Sequence, residues 1–200
     1  MNYYAELDTD KYIRENFFSN FDEKLTMVEV GAGPPEFYSM SKHFRESGWR
    51  CICIDPNPKF VTMHQKLGHE IYQLACADYE GSQTFNIVET SWDSEKNGIS
   101  YSSLGLKYPL KETHKIQTIQ VEVTTLNSLL SKLDINKINF ISVDTEGWEI
   151  EVLKGLDFNI YKPDVVLLEN FLHNLDYEIF MNSLGYKLRH KIEYNYIFTK

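Results

Sequence analysis

MVEVGAG, residues 27–33, is an apolar run of strand type that leads directly into two glycines. Its valines favour a strand over 27–31. Gly31 and Gly33 then let the backbone turn sharply and approach a ligand without a Cβ in the way. In α/β sheets, ligands lie beyond the carboxyl ends of the strands, so the sequence predicts a binding site at this turn, although a plain strand-to-helix turn has the same glycines.

Strand and helix patterns alternate along the rest of the chain. The predicted strands after 27–31 cover 50–55, 71–77, 83–88, 119–123, 138–143 and 164–169, and the predicted helices cover 36–47, 58–67, 126–133, a short segment ending near Gly155, and 174–184. This alternation predicts an α/β fold with a mainly parallel sheet and helices on both faces. Residues 186–190 and 194–199 predict a terminal hairpin that adds an antiparallel strand. The ordinary dinucleotide-binding fold has no such strand.

The predicted domain covers residues 25–200, after a polar, partly helical lead-in at 1–24. A length of 200 residues suits one domain. Residues 89–118 have turn formers and little periodicity, which predicts an insertion or a lid longer than a usual connection.

The composition excludes several classes of protein. The net charge is −9 and the basic residues are scattered, so nucleic acid is not an expected partner. No apolar run approaches the roughly 18 residues of a membrane span, and the amino-terminal residues lack a leader pattern. Three cysteines, an odd number, form a poor disulfide framework, which predicts a reduced, cytoplasmic protein. No ligand spacing predicts a metal site, and nothing indicates an oligomeric state.

An acid after the second strand fits an adenosine-containing cofactor. Asp55 follows Gly31 by 24 residues and could accept hydrogen bonds from ribose hydroxyls, or could serve only as a turn or cap residue. Asp78, past the third strand, could accept from an adenine amine or be a solvated loop acid. The predicted cofactor-binding residues are Glu29, Gly31, Ala32, Gly33, Asp55, Pro56, Ala77, Asp78 and Asp144.

The turn itself favours S-adenosylmethionine over a nicotinamide cofactor. Glu36 stands where a third glycine would be expected, and Pro34 and Pro35 cannot donate backbone N–H groups to a pyrophosphate. S-adenosylmethionine has no phosphate and carries a positive sulfonium, which an acidic turn tolerates better. A nicotinamide oxidoreductase remains the weaker alternative.

The segment SVDTEGWEIEVLKG, residues 142–155, places two acids at the end of a predicted central strand. Asp144 and Glu146 could stabilise a sulfonium or orient an acceptor hydroxyl, although acids at a helix amino terminus also occur for capping. The candidates for a catalytic base are Asp144, Glu146, Glu169 and His173.

This segment resembles the D-x-E-G-x-E-x-x-V-L-x-G block of the FkbM-type methyltransferases. IDPNP at 54–58, VTTLN at 123–127, YSSL at 101–104 and LLEN at 167–170 are similar to other elements of that family, so the resemblance covers about residues 27–170. Asn127 and Ser142 depart from the family pattern, at positions where Asp and Lys are usual. The resemblance implies a class I methyltransferase (Rossmann-like) fold and S-adenosylmethionine. It implies O-methylation of a sugar or natural-product hydroxyl, or N-methylation of a peptide or amide in some relatives.

We expect a small-molecule or glycan acceptor to lie under the 89–118 loop. Trp92, Tyr101 and Tyr108 could stack on a ring, and the predicted acceptor-binding residues are Tyr101, Ser102, Ser103 and His114. An alternative of another class is a scaffold protein that kept the fold without catalysis.

Overall fold

The computed structural model describes residues 2–20, 22–89, 101–105 and 115–200. A short 3₁₀ helix at Glu6–Asp8 precedes the α-helices α1 Thr9–Phe17, α2 Met40–Glu46, α3 Pro58–Lys66, α4 Leu126–Lys132, α5 Glu149–Lys154 and α6 Asp176–Ser183. The strands are β1 Thr26–Val30, β2 Arg50–Ile54, β3 Ile71–Tyr72, β4 Ala75–Cys76, β5 Gly81–Glu89, β6 Lys115–Thr124, β7 Phe140–Val143, β8 Val165–Glu169, β9 Lys187–Ile192 and β10 Asn195–Thr199.

The main sheet has seven strands in the order β3-β2-β1-β7-β8-β10-β9. Strand β1 is parallel to both of its neighbours, which are β2 and β7. Strand β10 is antiparallel to both β8 and β9. This order confirms the predicted parallel sheet with an antiparallel hairpin strand, as in class I methyltransferases. Because the chain leaves β1 on one side and returns to its other side at β7, the crevice for a ligand opens at the carboxyl end of β1.

The predicted strand 71–77 divides between two sheets. Residues of β3 pair with β2, while β4 joins β6 and β5 in a separate three-stranded sheet. The predicted irregular stretch 89–118 is also too long, because β6 begins at Lys115 and pairs with β5 as far as Glu89. The first half of β6 is largely exposed, so it has no apolar alternation that would reveal a strand.

Helix α2 begins four residues later than the predicted 36–47. Tyr38 has a left-handed backbone with φ 52°, which ends any helical run through 36–39. The amino terminus of α2 is instead fixed by Glu29, whose carboxylate accepts hydrogen bonds from Met40 N at 3.1 Å and Ser41 N at 3.3 Å. A long-range partner of this kind has no local signal in the sequence.

Apolar side chains pack on both faces of the main sheet. One cluster joins α4 and α6 to the sheet, and a second joins Ile13 and Phe18 of the predicted lead-in to Phe44, Trp49 and Phe140. A third cluster lies under the second sheet, where Leu104 and Trp148 meet. The three cysteines are free and buried. Among the described residues, no helix has the length and apolarity required to cross a bilayer.

Candidate active site

The glycine turn after β1 lies against the carboxyl end of β7. Gly31 has φ 80°, and a Cβ at this position would come within 1.7 Å of the carbonyl oxygen of Asp144. Only glycine therefore allows the two backbones to approach this closely. Gly33 has φ 57° but nothing lies within 4 Å of the place where its Cβ would be, so open space faces this residue.

Asp55 closes the turn from the side of β2. It is 5% exposed, and its two carboxylate oxygens accept hydrogen bonds from Gly33 N at 2.9 Å and Asn57 N at 2.8 Å. Burial raises the pKa of Asp55 to about 6, against the lowering effect of these two bonds. The structure thus brings Asp55 to the glycine turn as predicted, and it shows an additional role in holding that turn.

Asp144 lies at the carboxyl end of β7, where its side chain is accessible. It follows β7 directly, and its backbone N–H donates to Val30 O at 2.9 Å. The side chain is exposed, yet its pKa is raised to about 7. Desolvation by the surrounding protein is the largest cause of this rise, and the negative charges of Glu149 and Glu6 add to it. Solvent reaches this side chain although protein surrounds it, so we infer that Asp144 lines a concave part of the surface. This part of the surface is called the recess below.

Two further acids border this recess. Burial, followed by the charge of Asp144, raises the pKa of Glu146 and of Glu169 well above the usual value. One oxygen from each of Asp144, Glu149 and Glu169 lies within 4.8 Å of the others, a spacing that suits a bound cation, and Asp144 and Glu169 are joined by a side-chain hydrogen bond. One oxygen of Glu169 is buried and makes no hydrogen bond within the described residues. The recess is therefore lined by several acids that hold their protons to a higher pH than free carboxyl groups do.

Glu149 is a functional residue that the sequence reasoning did not single out. It is fully buried, and its Oε1 accepts from Thr145 N at 2.8 Å, Thr145 Oγ1 at 3.2 Å and Gly147 N at 3.0 Å. Its other oxygen accepts from the Tyr177 hydroxyl. Glu149 thereby holds the turn that presents Asp144 and Glu146. The D-x-E-G-x-E spacing contained the signal for Glu149, whereas nothing near Tyr177 in the sequence indicates this contact.

The remaining predicted cofactor residues lie near the ends of β1, β2 and β4. Glu29 is buried and anchors α2, Ala32 N donates to Ile54 O at 3.2 Å, and Pro56 is half-buried. Ala77 is buried and Asp78 is exposed, both just past β4. Their contacts with a cofactor stay predictions.

His173 is exposed, has φ 52°, and lies with Nδ1 at 3.0 Å from the Tyr196 hydroxyl. This contact holds the imidazole of His173, which follows Glu169 by four residues in the sequence. Its role as a base stays a prediction.

The serine-rich element 101–105 approaches the Asp144 turn. A Cβ on Gly105 would lie 3.5 Å from the Trp148 ring, and Ser103 is buried with its hydroxyl donating to Gly105 O at 2.7 Å. Ser102 Oγ accepts from Val88 N at 3.0 Å, and Tyr101 is 37% exposed. Of the three predicted acceptor residues that the structure describes, Tyr101 therefore has the most accessible side chain. His114, Trp92 and Tyr108 lie outside the described residues.

The residues at this edge fit S-adenosylmethionine. The open space at Gly33 leaves room for a ligand against the backbone, and the carboxylate of Asp55 lies beside it. The charges acting most strongly on Asp144 are those of Glu149, Glu6 and Glu29, all negative. Such a recess favours a ligand with a positive sulfonium.

Comparison with known proteins agrees with this geometry. The model of the family described as methyltransferase FkbM domain matches residues 29–188. A search of curated proteins finds no match. One similar solved structure is precorrin-6y C5,15-methyltransferase from Geobacter metallireducens GS-15, with 14% identity, 99% of this chain and 93% of that chain covered, and a TM-score of 0.41. That likeness is too low to bear on function, so the assignment rests on the family match and the strand order. The chain belongs to the FkbM methyltransferase family and is an S-adenosylmethionine-dependent methyltransferase.

Proposed function

We propose that the protein transfers a methyl group to a hydroxyl of a sugar or small natural product. The observation that carries this proposal is the carboxyl group of Asp144 in the open recess beside the glycine turn, where burial raises its pKa to about 7. A hydroxyl acceptor must lose its proton during transfer, and a base works best when its pKa lies near the working pH.

Each residue of the recess has a separate part in this proposal. S-adenosylmethionine, when bound, supplies an activated methyl group on a sulfonium. Gly31, Gly33 and Asp55 would hold the adenosyl part, since they form one continuous surface at the ends of β1 and β2. Asp144 would accept the hydroxyl proton and Glu169 would share it, because the two carboxyl groups are joined by a side-chain hydrogen bond. Most of the acceleration comes from alignment of the acceptor with the methyl group.

Calorimetric titration with S-adenosylmethionine tests the cofactor site. Gly33→Ala and Gly68→Ala both add a Cβ at a left-handed glycine, φ 57° and 71°, with nothing within 4 Å. Both variants should lose about 1–2 kcal/mol of stability from backbone strain. Only Gly33→Ala should weaken cofactor binding, by tenfold or more, since its new methyl would enter the binding surface.

Turnover separates the possible acceptors. The enzyme is incubated with methyl-labelled S-adenosylmethionine and a panel of glycosides and hydroxylated natural products, and the label is located by carbon NMR. We expect the label on oxygen. Amides and short peptides in the same panel test the alternative, since a label on nitrogen would favour that acceptor class. No label on any hydroxyl would refute the proposed O-methylation. Equal loss of affinity in both glycine variants would remove the glycine turn from the site.

A further inference from the structure

A cavity of about 710 Å³ is lined by none of the residues proposed above for cofactor binding or proton transfer. Ligand cavities in proteins are typically about 300–1,000 Å³, so this one has the volume of a small-molecule site. The residues that bear on its chemistry are Leu7, Asp8, Tyr38, His190, Ile192 and Glu193. It is therefore formed jointly by the amino-terminal segment, the loop before α2 and the β9–β10 turn.

A short series of contacts links the cavity to the acids around Asp144. Glu6 stands between the cavity residues Ala5 and Leu7, and its carboxylate accepts a hydrogen bond from the hydroxyl of Tyr194, the neighbour of Glu193. On the other side, Asn170 N donates to Tyr194 O at 2.7 Å, one residue after Glu169. The charge of Glu6, after burial and Glu149, also contributes to the raised pKa of Asp144. The two spaces are thus adjacent.

The walls of the cavity are held in place by backbone contacts. Ala5 forms a parallel bridge with Tyr38, and Tyr4 N donates to Asp10 Oδ2 at 2.7 Å. Leu7, Asp8, Tyr38 and Glu193 have left-handed backbones, with φ of 57°, 54°, 52° and 51°. Such conformations persist only where surrounding contacts impose them, so the cavity has a defined shape.

The apolar part of the lining offers a flat surface to a ring. Tyr38 is 41% exposed and its ring centroid lies 4.1 Å from that of Phe37. Leu7, on the facing segment, is 47% exposed. Aromatic and aliphatic surfaces of this kind hold sugar rings by contact with their apolar C–H faces.

The polar part of the lining is acidic. Asp8 and Glu193 are exposed carboxylates, and neither forms an ion pair among the described residues. The cationic group of Lys191 is 2.8 Å from Glu178, and it lies 4.1 Å from the Tyr196 ring centroid. His190 is stacked on Tyr12 with centroids 4.3 Å apart. The cavity therefore repels anions and favours a ligand with hydroxyl groups and an ammonium group.

We propose that this cavity binds one ring of the acceptor, and that this ring is an amino sugar whose ammonium group faces Asp8 and Glu193. The inference rests on the proposed function, since it names the class of molecule whose hydroxyl reaches Asp144. Neutral sugars would bind the same surface more weakly, and uronic acids would be excluded by charge.

Amide chemical-shift perturbation with three matched probes tests the proposal: methyl glycosides of glucosamine, glucose and glucuronic acid. The glucosamine glycoside should bind most tightly and perturb the amides of Leu7, Asp8 and Glu193, and the glucuronide should not bind. Asp8→Asn and Glu193→Gln should each weaken the glucosamine glycoside about 2- to 5-fold, as for an exposed ion pair, and leave the glucose glycoside unchanged.

Two control variants remove the same charge elsewhere. Asp134→Asn changes another exposed aspartate with a left-handed backbone, φ 54°, and Glu122→Gln changes an exposed glutamate of β6. Both should bind all three probes like the unmodified protein. Binding of the glucuronide as tight as that of the glucosamine glycoside, equal effects in the controls, or no perturbation of the cavity amides by any probe would each overturn the proposal.

Cofactor titration keeps this inference separate from the proposed function. All four variants should bind S-adenosylmethionine with unchanged affinity, since none of them alters Gly31, Gly33, Asp55 or Asp144. If the unmodified protein binds the glucosamine glycoside but methylates no hydroxyl, the proposed function fails and the cavity remains a sugar site. If it methylates hydroxyls but the probes do not perturb the cavity, only the inference fails.

Discussion

Asp144 shows how a single side chain acquires its chemistry from its neighbours. It lies beside other acids, and its backbone is fixed by β1, so its carboxyl group gives up its proton near pH 7 rather than near pH 4. A carboxylate in water would be too weak a base for a hydroxyl. The crowding that disfavours the charged form of Asp144 also makes its carboxylate a stronger base.

This pKa predicts the pH dependence of catalysis. Below about pH 7 the carboxyl of Asp144 is protonated and cannot accept a proton, so kcat/KM should fall as the pH decreases, with a limb near 7 that belongs to the Asp144–Glu169 pair. A bound sulfonium favours the anion, so the limb in kcat should lie at lower pH. Steady-state rates between pH 5 and 9 measure both limbs.

Asp144→Asn should remove the limb and reduce kcat by about 10²- to 10⁴-fold, the range for loss of a general base. Glu122→Gln should retain both the limb near pH 7 and the full kcat. A profile that is flat from pH 5 to 8 in the unmodified enzyme would exclude Asp144 as the base.

The turn between β7 and α5 is the element that holds Asp144 and Glu146 in position. The turn at 144–148 is short, and its conformation depends on Glu149, which accepts three hydrogen bonds from Thr145 and Gly147 and a fourth from the Tyr177 hydroxyl. Glu149 thus acts on catalysis through the turn.

Substitutions of Glu149 can separate its charge from its hydrogen bonds. Glu149→Gln retains an oxygen for Thr145 and Gly147 but removes a negative charge that raises the pKa of Asp144. The acidic limb should therefore move to lower pH, with most of kcat retained. Glu149→Ala should lose activity by at least tenfold and about 3 kcal/mol or more of stability, because charged buried hydrogen bonds disappear.

Tyr177→Phe is the matched control, since it removes one of these hydrogen bonds and leaves the charge. It should cost about 1–2 kcal/mol in thermal unfolding and leave the pH limb in place. If the limb stays at the same pH in Glu149→Gln, electrostatic coupling between Glu149 and Asp144 is refuted.

For the whole molecule, the amino-terminal segment belongs to the core. Ile13 is fully buried in the cluster that includes Phe44 and Phe140. Ile13→Ala should therefore lower the free energy of unfolding by about 2–5 kcal/mol, as in other large-to-small core substitutions. Chemical denaturation measures this loss, and Leu172→Ala, at a side chain 61% exposed, should change stability by less than about 0.5 kcal/mol. Equal stability of the two variants would contradict the packing described here.

The sequence predicts the local features of this fold well and the long-range ones poorly. Apolar periodicity and glycine turns locate the strands of the main sheet and the terminal hairpin, because neighbours along the chain determine these features. The convergence of Gly33 with Asp55 could be predicted because the parallel strands β1 and β2 end at the same edge of the sheet. The separate sheet with β4 and the late start of α2 depend on partners distant in sequence. For the same reason, the Glu6–Tyr194 contact and its cavity leave no local pattern.

The conformation and charge of Glu146 affect how this protein would change under selection. It combines a left-handed backbone, φ 56°, with a crowded, like-charged carboxyl, and both are unfavourable for folding. Asparagine or glycine there would relieve both penalties. Laboratory evolution that rewards only heat resistance should therefore replace Glu146 early, whereas evolution that rewards turnover should keep it, and comparing the survivors of the two regimes would reveal which residues are tolerated only for catalysis.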